Sequence, residues 1–189
     1  MIVLKRRGDK KKMKDFVSSI KKNPRGYYFI HNRIKKLKEE NVDINTQTYM
    51  DRTLLHLAVK LKDCRMLKLF LKAGVNSNLA NEQGNTPLHE AVMMGRLDMV
   101  KALVGSGCDI NMGAELEQTP LHLAVICGNI EMVKYLVEMG ADVKRLDEVN
   151  SMAIDYAIDE KDIRIIRYLS SYQELSEELQ EKINALERK

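Results

Sequence analysis

Apolar residues come in doublets along this chain, and the doublets keep a fixed distance. Met66-Leu67 with Phe70-Leu71 is followed by Met99-Val100 with Leu103-Val104, then Met132-Val133 with Leu136-Val137, then Ile165-Ile166 with Leu169. The spacing i, i+1, i+4, i+5 places one apolar stripe on a helix and leaves its other faces polar. A shorter stripe precedes each set: Leu55, Ala58, Val59; Leu88, Ala91, Val92; Leu121, Ala124, Val125. A short helix, a break, a longer helix and a turn therefore recur, with a step of 33 residues and no insertion or deletion. Such a period marks stacked units, none of which can bury its apolar face alone.

The punctuation follows the same step. Gly95 and Gly128 separate the two helices of a unit, and Gly74, Gly107 and Gly140 close the longer helix, with Asn41 in the same slot of the first unit. Thr86-Pro87-Leu88-His89-Glu90-Ala91 recurs as Thr119-Pro120-Leu121-His122-Leu123-Ala124, with Thr53-Leu54-Leu55-His56-Leu57-Ala58 upstream and a worn copy, Met152 to Ala157, downstream. Threonine caps the orphan N–H groups of a helix start, and proline suits its first position. A second motif reads Gly74-Val75-Asn76-Ser77-Asn78, Gly107-Cys108-Asp109-Ile110-Asn111 and Gly140-Ala141-Asp142-Val143-Lys144, with Asn41 to Asn45 before them.

On the repeated T-P-L-H-x-A, the G-x-D-x-N and the 33-residue register, the chain resembles the ankyrin repeat family over about residues 30 to 170. The resemblance implies an all-α solenoid of L-shaped units, each with two antiparallel helices and an outward β-hairpin. The expected organisation is a basic arm over 1–24, a partial capping repeat over 25–47, full repeats over 48–80, 81–113 and 114–146, a degenerate repeat over 147–172 and a capping helix over 173–189. Met13, Phe16, Val17 and Ile20 predict a displaced capping helix over 10–22, and Tyr27, Ile30, Ile34 and Leu37 a second over 26–40. At the other end, Ser171-Tyr172-Gln173-Glu174 fits a capping box. It would open a last helix with Leu175, Leu179, Ile183 and Leu186 on one side. That helix closes the stack or docks a partner; two heptads are too few for a coiled coil.

Composition narrows the reading. The chain is 44% hydrophobic but only 5% aromatic, with no tryptophan, so its core must be aliphatic, which suits packed helices better than a sheet. No apolar run reaches the ~20 residues of a membrane span. The apolar start Met1–Leu4 meets Lys5-Arg6-Arg7 at once, the reverse of a secretory signal. Three cysteines without a C-x-x-C (Cys64, Cys108, Cys127) indicate reduced thiols and a cytoplasmic protein. Small ankyrin-only proteins also occur in intracellular bacteria and large viruses, so the resemblance leaves open a secreted effector in host cytosol.

The net charge of +4 hides an asymmetry: residues 1–25 hold ten Lys and Arg against Asp9 and Asp15, and the remainder holds 21 basic against 25 acidic residues. The basic blocks within residues 5–14 suit nucleic acid or an anionic membrane, and a solvated tail is the plainer reading.

Three histidines invite a chemical reading that the repeat removes. His56, His89 and His122 hold one slot in successive units. Stacked helices lie ~8–10 Å apart, whereas zinc ligands lie ~2 Å from their ion, so equivalent side chains cannot converge on one metal. No Gly-rich phosphate loop, G-x-S-x-G or H-E-x-x-H occurs. Cys127 and His122 face different ways on a short helix with no third group to orient a base. No catalytic residue, metal or cofactor is expected, and the protein reads as non-enzymatic. The resemblance gives the histidines a structural role, bonding backbone at the helix start and across to the next unit. Asp155 replaces the histidine in the last repeat.

The resemblance also implies protein–protein interaction through two variable zones. The tips carry Tyr49, Met50, Arg52; Glu82, Gln83, Asn85; Glu115, Leu116, Gln118; and Glu148, Val149, Ser151. The ends of the first helices carry Lys60-Leu61, Met93-Met94, Ile126-Cys127 and Asp159-Glu160. The centre of this last series is apolar where groove positions are often polar, and methionine adapts to varied partners. Its flanks differ in sign, Lys60 and Arg52 against Asp159 and Glu160. The expectation is a monomer that takes no small-molecule substrate and holds a helix or extended peptide with an apolar centre and polarised ends. The competing reading makes these side chains fillers between repeats.

Overall fold

The computed structural model describes residues 7–48, 52–172 and 177–187. These form eleven α-helices and one 3-10 turn, with no strand among the described residues. Helices α1 (Arg7–Lys22) and α2 (Tyr27–Glu39) open the stack. Four helix pairs follow: α3 (Leu54–Lys60) with α4 (Cys64–Lys72), α5 (Pro87–Met93) with α6 (Leu97–Val104), α7 (Pro120–Ile126) with α8 (Ile130–Glu138), and α9 (Ala153–Asp159) with α10 (Ile163–Ser170). A last helix, α11 (Glu177–Glu187), packs on α10. The first helices of successive pairs stack on one another, and each also packs on the second helix of its own pair.

One continuous core, mostly aliphatic but holding Phe16 and Phe70, runs through the stack. The doublets Met66-Leu67, Met99-Val100, Met132-Val133 and Ile165-Ile166 are all fully buried. The breaks work by backbone conformation. Gly95 and Gly128 take φ of 64°, a left-handed geometry that costs glycine little. Lys62 and Lys161 hold the same slot in the outer pairs at φ of 55° and 57°.

The G-x-D-x-N motif joins units. Asn45, Asn78 and Asn111 each accept, through Oδ1, the backbone N–H of Asn76, Asp109 and Asp142 in the next unit, at 2.7, 2.9 and 2.8 Å. The first polar residue of the motif turns its carboxylate or amide oxygen onto the N–H two residues on. Lys144 stands where the next asparagine would, and this chain of bonds ends there.

The two ends are closed differently. On α1, Met13, Phe16 and Ile20 are at most 1% exposed, and Lys12 reaches Glu40 at 2.8 Å. On α11, Leu179 and Ile183 are buried and Leu186 lies against the core. Ser171 does not start this helix: it ends α10, its hydroxyl donating to the Tyr168 carbonyl at 2.7 Å. Gln173, Glu174 and Leu175 fall outside the described residues.

The tips differ from the expected β-hairpins. A backbone bond closes the base of each: Thr48 N–H to Arg52 O, Asn81 N–H to Asn85 O, Ala114 N–H to Gln118 O and Asp147 N–H to Ser151 O, at 2.9 to 3.1 Å, and inside the last three Gly84, Glu117 and Asn150 donate back to Asn81, Ala114 and Asp147. In two tips a side chain satisfies the remaining N–H groups that a strand partner would have taken. Asn81 Oδ1 accepts from Gln83 and Asn85, and Asp147 Oδ1 from Val149 and Ser151. Ala114 offers no such acceptor. There the chain winds into the 3-10 turn Glu115–Glu117, with Leu116 and Glu117 at positive φ.

Candidate partner-binding groove

The inner face of the stack is built from the first helices. Each begins at a threonine cap or its substitute, and the histidine at its third position fixes that start. The Thr53 backbone N–H donates to His56 Nδ1 at 3.2 Å, while His56 Nε2 lies 2.9 Å from the Asn85 carbonyl. His122 makes the same pair of contacts with Thr119 N–H and the Ser151 carbonyl, at 3.2 and 3.1 Å. These partners require a neutral ring protonated on Nε2. His89 accepts from Thr86 N–H at 3.2 Å, but its Nε2 faces the Gln118 carbonyl without reaching full hydrogen-bond geometry. Burial lowers the pKa of all three rings, that of His89 to about 4. In the last unit, Asp155 Oδ2 accepts the Met152 N–H at 2.7 Å. The carboxylate does the work of Nδ1 and needs no reach to a further unit. Among the described residues no group of three or more His, Cys, Asp and Glu could hold a metal ion.

With their starts fixed, the first helices align their far ends across the groove. Lys60, Met93, Ile126 and Asp159 form one row, and Leu61, Met94, Cys127 and Glu160 the next. Leu61, Met93 and Ile126 are 36%, 44% and 40% exposed, so three successive units present large apolar side chains to solvent. Met94 is half-buried against the core. Cys127 is exposed, whereas burial raises the thiol pKa of Cys64 and takes that of Cys108 to about 11. Lys60, Asp159 and Glu160 are exposed, so the strip runs from a cationic to an anionic end.

Sequence reasoning missed part of the cationic end. Lys14, Val17, Ser18 and Lys21 on α1 line a hollow of about 250 Å³ together with Leu57 and Lys60 of α3. The signal was present: Val17 sits at the edge of the α1 apolar stripe, flanked by lysines at i−3 and i+4. Only the hollow shared by α1 and α3 shows that this edge extends the groove.

Several tip residues turn inward. Arg52 lies 3.4 Å from Glu90, with its side chain 22% exposed. Gln118 donates to the Tyr156 hydroxyl at 3.1 Å, which donates to Asp147 at 2.6 Å. Burial would raise the Asp147 pKa, but the Tyr156 hydroxyl and the Ser151 and Val149 N–H groups outweigh it and the carboxylate is held low. Asn85 is half-buried and gives its carbonyl to His56. Arg52, Gln118 and Asn85 thus serve the interior. Charge and amide groups next to a repeat boundary find partners in the adjoining unit, which their polarity alone did not reveal. Glu82, Gln83, Glu115 and Leu116 are exposed at the tips; Tyr49 and Met50 lie outside the described residues.

A family model of ankyrin repeats (three copies) matches residues 27–114 and 106–179. Over 54 residues, 29% of this chain, the sequence is 39% identical to alpha-latrotoxin-Lg1a of Latrodectus geometricus. That match spans only 4% of the toxin's length. The stacked helix pairs, the histidine and asparagine bonds between units and a family match across residues 27–179 lead to one assignment: the chain belongs to the ankyrin repeat family.

Proposed function

We propose that the protein holds a protein partner in the groove formed by its first helices. Ankyrin repeats are protein–protein interaction modules, and a solenoid offers a long concave surface for that use. The observation that carries the reading is the exposure of Leu61, Met93 and Ile126 in three consecutive units. Side chains that merely filled gaps between repeats would be covered. Burying such a strip removes apolar surface from water at roughly 25 cal/mol per Å², and its charged ends set direction more than affinity. An acidic segment of the partner lies over Lys14, Lys21 and Lys60, an apolar segment over the centre, and a basic segment over Asp159 and Glu160. The free thiols fit a reducing compartment such as the cytosol.

The test is capture of the partner from its native cell by wild type and by Met93→Glu with Ile126→Glu. Capture is expected to be lost with thermal unfolding nearly unchanged. Retained capture, or a collapse of stability, would reject the groove.

A further inference from the structure

The opposite face holds a second surface. His31, Ile34, Lys35 and Lys38 of α2 and Arg65, Lys68, Leu69, Lys72 and Ala73 of α4 line a trough of about 660 Å³. Its floor is aliphatic, its two walls are cationic, and no carboxylate lines it. The walls are set in place at one end, where the Tyr27 hydroxyl donates to Asp63 at 2.7 Å and the Arg65 guanidinium lies 5.1 Å from the centre of the Tyr27 ring. Among the described residues none of Lys35, Lys38, Lys68 and Lys72 forms an ion pair.

The repeat register explains why cations stand free here. Lys35, Lys68, Lys101 and Lys134 occupy one slot in successive units. Lys101 lies over the Tyr135 ring at 5.5 Å and Lys134 over the Tyr168 ring at 5.7 Å, each ring coming from the next unit. The positions that would cover Lys35 and Lys68 hold Leu69 and Ala102. The same lysine slot is therefore covered by an aromatic ring in the later units and left open above an apolar floor in the first two.

We propose that this trough binds an acidic amphipathic helix of a partner protein. Leu69, Ala73 and the methylene stems of the lysines, above the buried Ile34, receive its apolar stripe, and the ammonium groups of both walls pair with Glu or Asp on either side of it. His31 to Lys38 spans two helical turns, roughly 10 Å at 1.5 Å per residue, which matches a short helix laid along the trough. Single-stranded nucleic acid would use a series of stacking platforms, whereas His31 supplies the one ring among the residues that line the trough. A flat anionic bilayer would meet the cations and leave the recessed floor unused. The α11 helix of a second copy is acidic, but its Leu179 and Ile183 are already buried.

The site is separate from the groove and does not rest on it. The probe is a labelled synthetic helix of about four turns with leucines on one stripe and glutamates beside it, titrated against the full chain by fluorescence anisotropy. A shuffled peptide of equal composition, polyuridylate and phosphatidylserine vesicles are run in parallel. The striped peptide is expected to bind and to weaken about tenfold with Lys35→Glu plus Lys68→Glu. It should also weaken with Leu69→Asn and bind unchanged to Met93→Glu with Ile126→Glu. Lys35→Gln plus Lys68→Gln, with circular dichroism, guards against a folding artefact. No binding, equal binding of the shuffled peptide, or tighter binding of polyuridylate or vesicles would overturn the proposal. So would a dimer in sedimentation that the lysine variants dissolve.

Discussion

The first 72 residues and the rest of the chain are built on one plan and present opposite surfaces. Residues 1–72 hold 20 Lys and Arg against seven Asp and Glu, a balance of +13, whereas residues 73–189 hold 11 against 20, a balance of −9. Charge on a solvent face leaves the core unaffected, so a solenoid can vary it unit by unit while the buried doublets stay constant. The difference extends to single slots. Lys134 is sheathed by Tyr168 and Lys68 is open; Lys60 and Asp159 are counterparts at the two ends of the same row. The basic character is not confined to an N-terminal arm either. Half of those 20 basic residues lie beyond Arg25, on α2, α3, α4 and the turns between them.

The two ends provide the largest test of this comparison. Phe16 is buried at the basic end and Ile183 at the acidic end, 1% and 5% exposed. Phe16→Ala is expected to cost about 3–5 kcal/mol and Ile183→Ala about 2 kcal/mol in chemical denaturation. Equal costs would mean that α1 closes the stack no more tightly than α11 does.

Acid should act on both halves through the histidines. Burial lowers their pKa, so the neutral ring is the folded form and protonation favours the unfolded chain. Stability is full above the ordinary histidine pKa of 6.5 and falls as pH drops below it, for His89 down to about 4, a loss on the order of 3 kcal/mol at that site. Denaturation midpoints between neutral pH and pH ~4 measure this slope. His89→Asn should flatten it; an unchanged slope would place the titrating groups elsewhere.

The smallest effect lies at a tip. Gly84 and Glu117 hold one slot at φ of 76° and 55°, and only glycine adopts that geometry without strain. Glu117→Gly should stabilise by up to about 1 kcal/mol, read as a small rise in the denaturation midpoint. A loss instead would mean that the exposed ion pair of Glu117 with Arg145, at 3.5 Å, outweighs the backbone strain.

Most of the fold was legible because it repeats. The period fixed the helix pairs, the stripes fixed the buried face, and glycines and threonines marked their limits. The two caps were readable from Met13, Phe16 and Ile20 and from Leu179 and Ile183. What escaped depends on contacts between units. Nothing in the local sequence of Arg52 or Gln118 announces Glu90 or Tyr156 in a neighbouring unit. The role of Asn78 toward Asp109 also becomes visible only once units are stacked. The trough was hidden for the same reason, since its walls come from α2 and α4 and its openness depends on residues 34 positions further on.

The central claim is that the exposed strip on the first helices is where a protein partner sits. A photo-crosslinking amino acid placed at Met93, or on the outer face of α8 at Glu131 as the control, tests it directly in the native cell. Adducts to a protein from position 93 and none from position 131 would bear the account out. Equal adducts from both, or none from 93 in a folded protein, would contradict it.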